Sequence, residues 1–262
     1  MGKIIAFSNQ KGGVGKTTSC VNIAAYLAKA GKKVLLVDLD PQGNSTSGLD
    51  IDKSRPFSIY SIICRQVEIT DKDVITPTAI PNLFIIPSNK GLEGAEVELA
   101  FIEKDKEKVI LGEILKIKKD YDYILLDCPP SLGLITINAL AAANSVIIPI
   151  QCEFYALEGL AQLMNTIKII RNFLNNNLEI EGVLLTMYDS RSNLSEQVAA
   201  EIRKNFGSKM YKTMIPRNVR LAEAPSFGKP IMLYDPKCAG AKAYEAVSAE
   251  LIKMQKVNGK IY

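Results

Sequence analysis

Short apolar runs alternate with helically spaced stretches along the whole chain. The runs Ile4–Phe7, Val34–Val37, Leu83–Pro87, Tyr123–Leu126, Val146–Ile150 and Val183–Met187 are mostly apolar on consecutive residues. That is the pattern of parallel strands covered on both faces, where both sets of alternating side chains are buried. Shorter runs at Tyr211–Ile215 and Pro230–Leu233 predict two further strands. Between the runs the apolar spacing becomes helical. Thr18–Ala30 sets Val21, Ala24, Ala25, Leu27 and Ala28 on a stripe and stops at Gly31, a residue suited to ending a helix. The same spacing predicts helices over Lys108–Lys119, Leu132–Ala143, Leu157–Asn175, Leu194–Phe206 and Ala241–Lys256. Strand–helix alternation with right-handed crossovers implies a doubly wound α/β fold, a mostly parallel sheet with helices on both faces. No repeat, linker or low-complexity tract interrupts it, so residues 1–262 are expected to form one domain.

Composition narrows the chemistry. With 47% hydrophobic residues in 262, the chain can bury a full core. Its five cysteines, Cys20, Cys64, Cys128, Cys152 and Cys238, form no C-x-x-C pair, which argues against a zinc or iron–sulfur site and against a disulfide framework, and suits a reducing cytoplasm. There is no histidine, so any chemistry falls to carboxylates, lysine, backbone amides and an oxygen-held metal. Met1-Gly2-Lys3 runs straight into the first strand, and no signal peptide is expected. Leu132–Ile150 is uncharged and approaches membrane-spanning length, but Asn138, Asn144, Ser145 and Pro149 interrupt it. A buried helix followed by a buried strand accounts for it better.

Charge is uneven. From Asp189 onward there are thirteen Lys/Arg and seven Asp/Glu, whereas the first 188 residues hold 19 basic and 21 acidic groups. A basic C-terminal third on a near-neutral body points to a polyanion-binding surface, although lysines that merely solvate helices produce the same count.

Three segments carry candidate phosphate and metal chemistry. Behind the first strand comes Gln10-Lys11-Gly12-Gly13-Val14-Gly15-Lys16-Thr17-Thr18. Gly12, Gly13 and Gly15 let successive N–H groups turn toward a phosphate, and the helix that follows adds its positive end. Gly15-Lys16-Thr17 completes the G-x-x-x-x-G-K-[ST] pattern, with Lys16 for the β/γ-phosphates and the Thr17 hydroxyl for Mg²⁺, while Gln10 replaces the pattern's first glycine. Lys11 is a second cation at the loop mouth, placed to reach a phosphate bound elsewhere. The strand Val34–Val37 ends in Asp38 and Asp40, which alternation sets on one side. At the carboxyl edge of an open sheet such a pair can orient a magnesium shell and activate water, or cap a helix. Tyr123–Leu126 ends in Asp127, the Walker B form of a carboxylate aimed at magnesium's water shell. Cys128 beside it reads as a packing residue, since no histidine is present to activate it.

Two arginine-bearing loops follow, Asp189–Asn193 with Arg191 and Ile215–Arg220 with Arg217 and Arg220; Arg203, Lys204 and Lys209 extend the patch. Arginine suits phosphate recognition, and exposed arginines equally make surface ion pairs. No helix-turn-helix or aromatic interleaving suggests base reading.

KGGVGKTT at Lys11–Thr18, VDLDPQGN at Val37–Asn44, DCPPSLG at Asp127–Gly133 and TMIPRNVRLAEAPSFGKPI at Thr213–Ile231 together resemble the ParA/Soj partitioning ATPases, of the deviant Walker A (MinD/ParA) class. The resemblance runs from Met1 to about Val247. It implies an ATP- and Mg²⁺-dependent homodimer that binds DNA non-specifically and is released on slow hydrolysis, stimulated by a ParB/Spo0J-type partner at the nucleoid. It further implies that Lys11 crosses the dimer interface toward the partner's nucleotide, that Lys16 and Thr17 hold phosphate and Mg²⁺, and that Asp40 activates water. By the same resemblance Asp127 is the Walker B carboxylate, Pro216 and Asn218 cradle adenine, and Arg191 and Arg220 bind DNA. Because the first strand begins by Lys3, the N-terminal DNA-binding domain of longer plasmid-type relatives is not expected. The tail Glu250–Tyr262 is a poor amphipathic helix, which weighs against the alternative of a MinD-like, membrane-associated division-site ATPase.

Overall fold

The computed structural model describes residues 2–64, 66–70, 73–153 and 156–257. In chain order the elements are β1 (Lys3–Phe7), α1 (Lys16–Lys29), β2 (Val34–Asp38), α2 (Asn44–Gly48), α3 (Ile59–Ile63), β3 (Thr76–Pro77), β4 (Leu83–Ile86), α4 (Leu92–Ala100) and α5 (Val109–Ile117). Then come β5 (Tyr123–Asp127), α6 (Leu134–Ala142), β6 (Ser145–Gln151), α7 (Ala156–Phe173), β7 (Glu179–Thr186), α8 (Asn193–Phe206), α9 (Val219–Glu223), α10 (Ile231–Tyr234) and α11 (Ala239–Val257).

The strands join in one sheet of order β3-β4-β2-β5-β1-β6-β7, parallel throughout except for the antiparallel edge strand β3. Successive side chains leave opposite faces, and both faces are covered. Ile4, Ala6, Leu35, Val37, Ile124 and Leu126 enter one core with Ile59, Leu92, Ile114, Leu163 and Val198. Ile5, Phe7, Leu36, Leu125 and Ile147 enter the other with Ile23, Leu27, Tyr244, Val247 and Leu251. This explains the unbroken apolar runs: each buried Leu or Ile contributes about 1.5–3 kcal/mol whichever way it points. The uncharged stretch from Leu132 resolves into α6 and β6, as expected from its polar interruptions.

Two expected strands are not strands. Near Tyr211–Ile215 only isolated bridges remain, Val183 with Met210 and Tyr188 with Pro216. The N–H groups of Lys212 and Thr213 donate to the Glu250 carboxylate on α11 at 2.9 Å each, which draws the middle of the run off the sheet. Pro230–Leu233 instead opens the helical turn α10, with Pro230 at its N-cap and the Ile231 N–H donating to Asn22 Oδ1 at 2.7 Å. The part of the tail at 258–262 lies outside the described residues.

Candidate nucleotide-binding site

Register places the site. Asp127 at the end of β5 pairs with Phe7 of β1 on one side and Asp38 of β2 on the other. The glycine-rich loop, the Asp38–Asp40 turn and Asp127 therefore meet at one point of the carboxyl edge.

Gly13 and Gly15 hold φ of 75° and 82°, the left-handed region that glycine enters without Cβ strain. The loop is pinned from three sides. The Thr186 hydroxyl donates to Val14 O at 2.8 Å, Asn9 Oδ1 accepts the Lys11 N–H at 3.0 Å, and Asn9 Nδ2 donates to Pro149 O at 2.8 Å. α1 starts with no side-chain cap, so its first amides are left for an anion beside the helix's positive end.

Lys16 is buried, and its ammonium donates to Lys11 O at 2.9 Å. Burial lowers its pKa, and the negative charges of Asp127 and Asp40 pull it back up. A phosphate oxygen is a stronger acceptor for that ammonium than a carbonyl. Lys11 points the other way, into an ion pair with Glu153 just beyond β6.

Asp127 is fully buried; its Oδ2 accepts the Ser45 hydroxyl at 2.7 Å and its Oδ1 has no hydrogen-bond partner. Asp38, also buried, accepts the Thr46 N–H at 2.8 Å and the Thr46 hydroxyl at 2.7 Å on Oδ2. Asp38 thus ties down the first turn of α2, whose N-cap residue is Gly43. Asp40 Oδ1 accepts the Gln42 N–H at 2.9 Å in the turn before that helix.

Burial, then the charge of Asp38, pushes the Asp127 carboxyl up to about 7, against the opposing Ser45 and Thr17 hydroxyls. Burial likewise pushes Asp38 up to about 6, against the Thr46 and Asp40 hydrogen bonds. A carboxyl raised in the fold binds more protons folded than unfolded between about pH 4 and 7, so nucleotide-free stability from this pair falls as pH rises through that window. Asp127→Asn should therefore gain stability over wild type at pH 8, on the order of 2 kcal/mol, and gain little at pH 5. Thermal unfolding at the two pH values checks this; equal gains would show that the buried charge is not the cause.

Among the described residues no group of three or more His, Cys, Asp or Glu could hold a metal ion. The donors at hand are oxygens: the Thr17 hydroxyl, the unpartnered Asp127 Oδ1, and those a bound phosphate would add. A hard cation that keeps several waters and needs few protein ligands fits this set, and Mg²⁺ is such a cation.

Beside the loop lies a cavity of about 340 Å³, lined by Gly15 and Thr18 and by Met187, Pro216, Asn218, Val219, Leu221 and Ala222 among others. Its wall joins the two arginine loops. Tyr188 N donates to Ile215 O at 3.0 Å and Arg217 N donates back to Tyr188 O at 3.1 Å, setting the segment before Arg191 against the one before Arg220. Arg191 donates from Nε and Nη2 to both oxygens of Asp189 at 3.0 and 2.9 Å, whereas Arg220 donates from Nη1 to Glu223 at 2.9 Å. Both are also exposed, and the ion-pair reading is realised for each of them.

Sequence reasoning missed the residues that hold these groups: Ser45 and Thr46 under the aspartates, Thr186 under the loop, Glu153 on Lys11, and Glu223 on Arg220. Only Ser45 and Thr46 carried a signal, as small hydroxyls directly behind the Asp40-Pro41-Gln42-Gly43 turn.

The AAA domain family profile matches residues 2–180. The chain is 55% identical over 253 residues to the sporulation initiation inhibitor protein Soj of Bacillus subtilis, covering 96% of this chain and 98% of that one. It is 50% identical over 252 residues to the chromosome-partitioning ATPase Soj of Treponema pallidum, covering 96% and 98%. Among solved structures, cobyrinic acid a,c-diamide synthase from Mycobacterium smegmatis with bound ADP and magnesium is similar at a TM-score of 0.86 and 34% identity, covering 98% of this chain and 97% of that one. The septum site-determining protein MinD of Pyrococcus horikoshii with Mg-ADP is similar at 0.80 and 25%, covering 100% of each.

Proposed function

The chain belongs to the Soj/ParA family of chromosome-partitioning ATPases, and from that membership we propose that it is a Mg²⁺-dependent ATP hydrolase used as a switch on DNA. ATP is held by the loop amides of Gly12–Thr18, with the Lys16 ammonium leaving Lys11 O for the phosphates and the adenine lying in the cavity by Pro216 and Asn218. Mg²⁺, when bound by the Thr17 hydroxyl with Asp127 beside it, neutralises phosphate charge. Lys11 leaves Glu153 and reaches the nucleotide of a second copy, so two subunits close face to face. Asp40, fixed through Oδ1 by Gln42, takes a proton from the attacking water on its second oxygen. Loss of the γ-phosphate removes the anion that Lys11 grips, and the dimer parts. Turnover is slow until a ParB/Spo0J-type protein stimulates it.

The observation that carries the link to DNA is the build of α9. Asn218 Oδ1 caps this helix by accepting the Arg220 N–H at 2.8 Å, and Val219, Leu221 and Ala222 line the cavity while Arg220 lies exposed. One short helix thus touches both the nucleotide pocket and the candidate DNA surface. In a dimer Arg191 and Arg220 of both subunits are proposed to form one basic surface that grips DNA backbone, placing the protein on the nucleoid in the cytoplasm as a single ATPase domain.

A membrane role has less support. No described helix is long and apolar enough to cross a membrane. On α11, Tyr244, Val247 and Leu251 are spent on the core, and Gln255 donates to Glu181 at 2.9 Å. Identity to MinD is also less than half that to the Bacillus Soj.

Arg220→Ala tests the reading. It should dimerise with ATP as wild type does, yet lose DNA retention roughly tenfold or more, since two charge-assisted phosphate contacts disappear from each dimer. Light scattering for mass and filter retention of random-sequence DNA read the two properties apart. Retention equal to wild type would remove Arg220 from the DNA surface.

A further inference from the structure

Arg220 is more than matched in charge by its neighbours. Its Nη1 donates to Glu223 Oε2 at 2.9 Å, and its Nε lies 3.6 Å from Asp235 Oδ2. The same Glu223 Oε2 also accepts the Tyr234 hydroxyl at 3.0 Å, and the Tyr234 ring stacks on Phe227 with centroids 5.0 Å apart. One guanidinium between two carboxylates leaves a local formal charge of −1, so an arriving phosphate meets net repulsion until a carboxylate gives way. All three side chains stay wet: Arg220 is 54% exposed, Glu223 38% and Asp235 33%. Pairs of this kind are screened and weak, hence displaceable. Arg191 is different. Its one carboxylate, Asp189, also accepts the Arg191 N–H at 3.0 Å and so shapes the turn itself.

We propose that Glu223 and Asp235 form a clamp on Arg220 that competes with DNA phosphate and sets how tightly, and in how much salt, the protein holds DNA. This rests on the DNA-binding reading above. The clamp spans two segments: Glu223 sits on α9 with Arg220, whereas Asp235 follows α10. A grip that must displace carboxylates is reversible by construction, which suits a protein that has to leave DNA.

The test is ATP-dependent retention of random-sequence DNA across a salt series, for wild type, Glu223→Gln, Asp235→Asn and the double variant, each with Arg220 present and with Arg220→Ala. The amides keep the backbone and tyrosine hydrogen bonds while removing charge. With Arg220 present each single variant should tighten retention roughly two- to fivefold per subunit of the dimer, the worth of an exposed ion pair. The double variant should also steepen log K against log salt by up to about two, as one phosphate contact per subunit of the dimer is made without an internal competitor. In the Arg220→Ala background the gain should shrink to nearly nothing. An equal gain there, or no gain while wild type holds DNA, overturns the clamp and leaves the DNA reading standing. Absence of ATP-dependent retention by wild type overturns both. Affinity for a fluorescent ATP analogue should be the same in all the proteins; tightening that tracks a rise in nucleotide affinity would place the effect in the pocket and overturn the clamp.

Discussion

Lys11→Ala is expected to abolish ATP-dependent dimerisation, and DNA retention with it. Among the described residues of its own subunit the Lys11 ammonium makes only a partly exposed ion pair with Glu153, 42% and 31% exposed respectively. Losing such a pair costs no more than about 1 kcal/mol, so the variant folds. In the proposed site its own nucleotide is served by Lys16, the buried lysine that opens α1. Across a symmetric interface the balance is different. Each dimer would lose two ammonium–phosphate contacts, each worth about 1.5–3 kcal/mol, which weakens dimerisation by roughly two to four orders of magnitude. Sedimentation with ATP and Mg²⁺ should show monomer at concentrations where wild type is dimer, while an ATP analogue still binds. A Lys11→Ala protein that dimerises and retains DNA normally would show that the lysine does not cross.

Asp40→Ala is expected to have the opposite effect on DNA. Removing the proposed proton acceptor should lower kcat by roughly 10²–10⁴-fold while leaving ATP binding intact. The side chain's structural part is small: Oδ1 accepts one N–H, from Gln42, a turn contact worth about 1 kcal/mol. ATP-clamped dimers should then persist, and the variant's residence on DNA should lengthen in step with slowed phosphate release. Both are read from one stopped-flow and filter-binding series. Release from DNA at the wild-type rate would mean that hydrolysis by Asp40 is not what opens the dimer.

The parts of the fold read easily from sequence were those whose cause is local. Ile4–Phe7, Val34–Val37 and Tyr123–Leu126 are apolar on every residue because both faces of β1, β2 and β5 are buried. The glycines of the loop announce themselves by backbone need, as the positive φ of Gly13 and Gly15 shows. What depended on distant partners was hidden. Tyr211–Ile215 has strand-like composition, but Glu250, some forty residues on, captures two of its N–H groups. α4 went unseen because Leu92, Ala95 and Leu99 are its only buried positions and Gly94 weakens the helical signal.

The site divides the same way. Lys16, Asp38 and Asp127 stand at strand or helix ends where spacing finds them, whereas the pairing of site residues with their partners is not written in local spacing. Glu153 is 142 positions from Lys11 and Ser45 is 82 from Asp127. Only the parallel register of β1, β2 and β5 brings the strand ends together. Alternation sets Asp38 and Asp40 on one side, where capping fits Asp38 better than Asp40, and burial separates them: Asp38 is sealed at 0% exposure on Thr46, whereas Asp40 keeps 8%.

In the proposed switch the nucleotide's γ-phosphate, through dimerisation, controls the grip on DNA. The most direct test is retention of random-sequence DNA by the wild-type protein, with molar mass measured in the same samples, in ATP with Mg²⁺ and in ADP with Mg²⁺. Dimer and retention are expected together with ATP, and monomer without retention with ADP. Equal retention in both nucleotides, or retention by monomer, would contradict it.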